Sequence, residues 1–145
     1  MPEPASIEAV RAAVEAIVPA TGDRPGGADL QVHLHVVDAL DLFLPGFVDL
    51  AATLLDAYAV DVRQGASFTE LTIEERSRVL RAMCLEDNAD MRDVVDGLLV
   101  FTYGGMYSEW SGYEPETGAL QPPRAWDALG FHGPSDGHPD YREPE

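Results

Sequence analysis

The stretch from Phe47 to Val62 constrains the fold more than any other. Phe47, Leu50, Ala51, Leu54, Leu55, Tyr58, Ala59 and Val62 recur at i, i+3, i+4, i+7 and i+8. That spacing stacks them as one stripe on a helix, whereas a strand would scatter them over both faces. The stripe needs other helices to cover it, and four more stretches qualify. Ser6 is a plausible N-cap for a helix carrying Ile7, Val10, Val14, Ile17 and Val18, stopped by Pro19. A second runs from about Asp29 to Leu44. Its Leu30, Val32, Leu34, Val36, Val37, Leu40 and Phe43 cover most of the circumference, which predicts a central position before Pro45-Gly46 breaks the chain. After Gly65, Thr72-Ile73-Glu74-Glu75 is a T-x-x-E capping box opening a helix through Leu85. Asn88 or Asp90 caps a fifth, with Met91, Val94, Val95, Leu98, Leu99 and Thr102 on one stripe and Gly104-Gly105 as its breaker. No segment has a strand period. The expectation is an all-α fold, a bundle of about five helices over residues 1–103, with the third helix most buried. Residues 104–145 form an irregular, aromatic, Gly/Pro-rich C-terminal extension packing on the bundle or on a partner.

Composition narrows the function. A chain of 145 residues supports one domain, and one of this size buries roughly 68–70% of its unfolded surface. Cys84 is the sole cysteine, and its helical context VLRAMCLED reads as a small hydrophobe rather than a nucleophile. The net charge of −17 argues against nucleic acid or anionic membranes as partners. All nine basic residues are Arg. Without lysine there is no Schiff-base chemistry and no phosphate-binding Lys of a P-loop. No 18-residue apolar run marks a membrane span. MPEPASIEAV shows neither a basic, apolar leader nor paired arginines, so cytoplasmic residence is the expectation.

The segment Val100 to Tyr141 is crowded with Gly, Pro, Tyr, Trp and Phe, without helical or strand period. Large rings give contact area with few rotatable bonds and so anchor interfaces. Two readings follow: the rings wrap a partner, or they fold back onto the chain's own helices. Other constellations point to no self-contained active site. His33 and His35 are two apart on a helix and diverge by roughly 200°, and beside Asp38 there is no third ligand at helical spacing. His132 and His138, with Asp136 and Asp140, read as a solvated tail. The pairs Glu74/Glu75 and Glu86/Asp87 diverge on helices. Ser108 and Ser111 lack a G-x-S-x-G setting. Gly26-Gly27 has no preceding strand and is no dinucleotide loop, though it can hold a turn against a neighbour. No catalytic, cofactor-binding or metal residue is assigned.

Three blocks carry a resemblance. Val14 to Asp38 reads VEAIVPATGDRPGGADLQVHLHVVD. Gly65 to Leu80 reads GASFTELTIEERSRVL, with Phe68, Leu71, Glu75 and Arg76 at a helix start. Gly104 to Gly133 reads GGMYSEWSGYEPETGALQPPRAWDALGFHG, ending in W-x-x-L-G-F-x-G. In this order and spacing the chain, from about Val14 to His138, resembles the gluconate 2-dehydrogenase subunit 3 family. The resemblance implies a small, mostly helical accessory subunit in a hetero-oligomer. Its large partner would be a flavoprotein of the glucose–methanol–choline type, which carries FAD and oxidises a sugar, glycoside or other alcohol. The small subunit, with no cofactor of its own, would support maturation, stability or delivery. Many relatives carry a twin-arginine export signal, and here only MPEPAS precedes Ile7. The complex then works in the cytoplasm or is exported by a signal-bearing partner, and a cytochrome partner is not expected.

The partner-binding residues expected on this reading are Tyr103, Tyr107, Trp110, Tyr113, Trp126 and Phe131, with Trp126 as the main anchor. The competing reading, from a different class, is a stand-alone small helical enzyme or binding module. It would hold a sugar-like ligand on Tyr103, Tyr107, Glu109 and Trp110.

Overall fold

The computed structural model describes residues 1–108, 113–114, 117–120 and 123–131. Five helices form the bundle: α1 (Pro4–Ile17), α2 (Val32–Phe43), α3 (Phe47–Val62), α4 (Ile73–Leu85) and α5 (Ala89–Tyr107). A single 3-10 turn, Phe68–Glu70, precedes α4. The all-α reading holds.

The hub is α1, which packs against α2, α3, α4 and α5. Pro4 sits in its first turn, where a missing N–H costs nothing, so the helix starts before Ser6. Val10, Ala13 and Val14 are fully covered, and the small Ala9, Ala12 and Ala13 let neighbouring helices approach closely. This corrects two expectations. The third helix is not the most buried, with five buried residues of sixteen against six of fourteen in α1. Its Leu55 and Ala59 are enclosed but Leu50 faces outward. Nor is α2 central, since Leu42 and Phe43 are exposed at its C-terminal end. An apolar circumference here marks an uncovered flank.

The second helix also starts later than Asp29, because Gln31 adopts left-handed backbone (φ 59°). Ahead of it, Gly26-Gly27 lies against the end of α1. The Gly27 amide donates to the Val18 carbonyl at 2.8 Å. A Cβ on Gly26 would stand 2.7 Å from both the Ala20 amide nitrogen and the Val18 carbonyl oxygen. Here the glycine permits backbone-to-backbone approach, not a phosphate cradle.

The start of α4 is built as its sequence implies. Thr72 accepts from the Glu75 amide at 3.2 Å, and Glu75 accepts from the Thr72 amide at 2.9 Å. Ser67 and Glu70 repeat the reciprocal device one turn earlier. Buried Arg76 ties the two together. Its guanidinium donates to the carbonyls of Phe68 (3.3 Å) and Thr69 (2.8 Å) and pairs with Glu15 on α1 at 2.5 Å.

Asn88 caps α5 by accepting from the Asp90 amide. The expected break at Gly104-Gly105 does not occur, and the helix runs on to Tyr107. A methyl at Gly97 would lie 3.4 Å from the Phe47 ring, and one at Gly105 would lie 2.8 Å from Val32 and 2.9 Å from His35. The fifth helix therefore runs antiparallel along α2, with Gly97 near Leu40 and Gly105 packed directly on Val32 and His35. Gly104 faces open space. The pair gives a paired prediction. Gly104→Ala should stabilise by ~0.5–1 kcal/mol through helix propensity. Gly105→Ala should cost ~1–3 kcal/mol, because Val32 is stiff and enclosed. Chemical denaturation of both variants checks it, and equal midpoints would refute the close-packing assignment.

Beyond α5 the structure adds two small regular pieces to the extension. Tyr113–Glu114 (β1) pairs antiparallel with Ala119–Leu120 (β2), Tyr113 opposite Leu120. Arg124–Leu129 forms a short α6, closed by Gly130 in left-handed backbone (φ 64°).

Candidate partner-binding face

The outer side of α5 carries an apolar stripe where a surface helix normally carries charge. Val94, Leu98 and Thr102 face the core, whereas Val100, Tyr103 and Tyr107 recur at i, i+3 and i+7 on the opposite side. Tyr103 is 50% and Tyr107 51% exposed. Each phenol presents a broad apolar ring with a polar tip, a residue type favoured where one side meets protein and the other water.

The short α6 is held against the last turn of α5. Ala125 is fully buried. The Trp126 indole N–H donates to the Tyr107 carbonyl at 2.9 Å, satisfying one of the carbonyls a helix C-terminus leaves without an intrahelical partner. The Phe131 amide donates to the Trp126 carbonyl at 2.9 Å. The left-handed turn at Gly130 brings the Phe131 ring back edge-on to Trp126 (5.1 Å between centroids, 86°) and to Tyr107 (5.7 Å, 82°). Both are favourable T-shaped geometries. Arg124 adds a bond to the Gln31 side chain at 3.3 Å.

Three of the six nominated rings, Tyr107, Trp126 and Phe131, therefore form one cluster, and Tyr103 continues it along α5. Trp126 is the ring most committed to this chain. Tyr107 and Phe131 keep substantial open surface. Tyr113 is placed by its backbone pairing with Leu120. Trp110 lies outside the described residues, as do Glu109, Ser111, His132, Asp136, His138 and Asp140.

Two surface features escaped the sequence reading. Val100 adds aliphatic surface to the α5 stripe, and Leu129 is exposed on α6. A groove of ≈ 400 Å³ opens at the α2–α3 corner, lined by Phe43, Leu44, Pro45, Gly46, Phe47 and Leu50. Phe43 stacks on Phe101 of α5 across 6.3 Å at one side of it. The trace of this groove in the sequence was the all-round apolar character of α2.

Both histidines of α2 are shifted by their surroundings. His33 is buried, and its pKa is lowered first by desolvation and then by the nearby Arg11 charge, with Glu8 opposing. His35 is lowered by burial, with Asp38 opposing. The two imidazoles diverge as their spacing requires, His33 toward α1 and His35 against Gly105. Among the described residues no three His, Cys, Asp or Glu side chains converge as a metal site. The Ser108 hydroxyl donates to the Gly105 carbonyl at 3.3 Å. No helix among these residues is long and apolar enough to cross a membrane.

A model of the family described as gluconate 2-dehydrogenase subunit 3 matches residues 4–133. The match runs from the first residue of α1 past Phe131 and so takes in the whole bundle and the aromatic face. Comparison with curated proteins and with solved structures returned no match.

Proposed function

Because the chain belongs to the gluconate 2-dehydrogenase subunit 3 family, we propose that it acts as a non-catalytic accessory subunit. It binds and stabilises an FAD-dependent catalytic subunit of the glucose–methanol–choline type, which oxidises a sugar, glycoside or other alcohol. The observation that carries this reading is the half-exposed aromatic stripe of α5, completed by Phe131 on the α6 turn. Aromatic side chains held rigidly at the centre of a water-excluding patch are the residues that carry binding energy at protein interfaces. FAD and the hydride chemistry belong to the partner.

Co-expression with such a flavoprotein tests the proposal. The expected result is a yellow complex that reduces a dye in an alcohol-dependent manner, while the chain alone is colourless and inert. Tightly bound flavin, sugar binding or turnover by the isolated chain would overturn it in favour of a stand-alone enzyme or ligand-binding module.

A further inference from the structure

The groove at the α2–α3 corner lies apart from the α6 cluster and has a different character. Phe43 is 67%, Leu44 51% and Leu50 52% exposed, an apolar concentration that a solvated corner does not require. Its setting is acidic without relief. From Arg24 to Arg63 the chain contains no basic side chain other than histidine, and this interval includes all of α2 and α3 with Asp38, Asp41, Asp49, Asp56 and Asp61. The same holds from Arg92 to Arg124, which includes Asp93, Asp96 and the rest of α5. The basic residues fall elsewhere, three of them (Arg76, Arg78 and Arg81) on α4. Charge is thus segregated, with an apolar groove set on two helices, α2 and α3, that carry Asp but neither Arg nor Lys.

Two carboxylates adjoin, along the chain, residues that line or touch the groove. Asp49 neighbours Leu50, and hydrogen bonds from Ser6 and the Glu3 amide hold its carboxyl below the ordinary range, so it stays ionised. Exposed Asp96 neighbours Gly97, the residue on which the Phe47 ring rests.

From this we infer that the groove is a second docking site for the catalytic subunit, taking an apolar side chain of leucine or phenylalanine size from a segment that also carries Arg or Lys. The inference rests on the accessory-subunit reading and adds the chemistry of the partner's contacting segment. Complementary charge steers the encounter and rejects wrong partners, while the apolar insertion slows dissociation. A second copy of this chain would bring carboxylates against carboxylates, and an anionic lipid surface would be repelled in the same way.

The test uses the full chain and the FAD-bearing subunit that co-purifies with it, with affinity measured at low and high salt. Wild type should lose about tenfold or more in affinity at high salt, as screening shortens the reach of exposed charge. Leu50→Arg, on an exposed helix face, should weaken binding by about tenfold or more with circular dichroism and Tm unchanged. Asp96→Lys should slow association at low salt and leave dissociation nearly constant. If wild type binds the flavoprotein while salt and Leu50→Arg change nothing, the groove inference is wrong and the accessory-subunit reading stands. If wild type captures no flavoprotein, both fall. Two further measurements cover the other occupants. A wild-type dimer in sedimentation that Leu50→Arg dissolves would assign the groove to a second copy. Flotation with phosphatidylcholine vesicles that the same variant abolishes would assign it to lipid. Either result overturns the inference.

Discussion

Phe68→Ala is expected to destabilise the protein by ~3–5 kcal/mol, a large share of the ~5–15 kcal/mol that holds a domain folded. Among the described residues Phe68 heads the fully buried side chains by size. It sits in a three-residue turn, so nothing regular on either side compensates for its loss. The Asp56 carboxylate of α3 accepts its amide at 2.7 Å, and Arg76 binds its carbonyl while pairing with Glu15 of α1. One side chain and its own peptide groups thus join α1, α3 and α4. Urea denaturation with a midpoint unchanged from wild type would show that this turn is dispensable.

The second large effect is expected at Trp126. Trp126→Ala removes the bond to the Tyr107 carbonyl and the ring against which Phe131 rests. The aromatic face then loses its arrangement while the five-helix bundle keeps its core. Affinity for the flavoprotein partner proposed above should fall by ~2–4 kcal/mol, the range of an interface hot spot, with far-UV circular dichroism nearly unchanged. Because Trp126 is partly covered by its own chain, the effect comes through positioning Phe131 and Tyr107 as well as through direct contact. Trp126→Phe separates the contributions: it keeps a ring beside Phe131 and loses the indole N–H. A variant that melts earlier but binds as tightly as wild type would place the rings in the service of the fold alone.

Sequence logic served best where a local device sets the outcome. The Thr72/Glu75 capping box is such a device, and the reciprocal bonds form as its spacing requires. The 3.6-residue stripe of Phe47–Val62 gave that helix's bounds. It failed where long-range packing decides. Gly104-Gly105 reads as a breaker from either residue alone, yet Gly105 is the gap into which Val32 and His35 fit, a fact carried by residues some seventy positions away. Gln31 in left-handed backbone shortens α2 against the propensity of Asp29-Leu30. The six-residue α6 is too short for any period to show, and it persists through the Trp126 and Arg124 bonds. At the candidate site, composition identified Tyr103, Tyr107, Trp126 and Phe131 as notable rings. Their grouping depends on the Gly130 turn, and the groove depends on how α2 meets α3. Neither is written in a stripe.

The position of α1 at the centre of the bundle has a consequence for synthesis. This helix leaves the ribosome ahead of the four that cover it, and the last of them ends only at Tyr107. At the pace of translation, ~5–20 residues per second, its Val10–Ala13–Val14 ridge stays uncovered for seconds, far longer than a helix needs to form. The nascent chain must therefore hold an apolar helix in waiting, and docking of α5 completes a cover that α2, α3 and α4 begin. Truncation anywhere within α5 should accordingly leave a chaperone client and not a smaller folded domain.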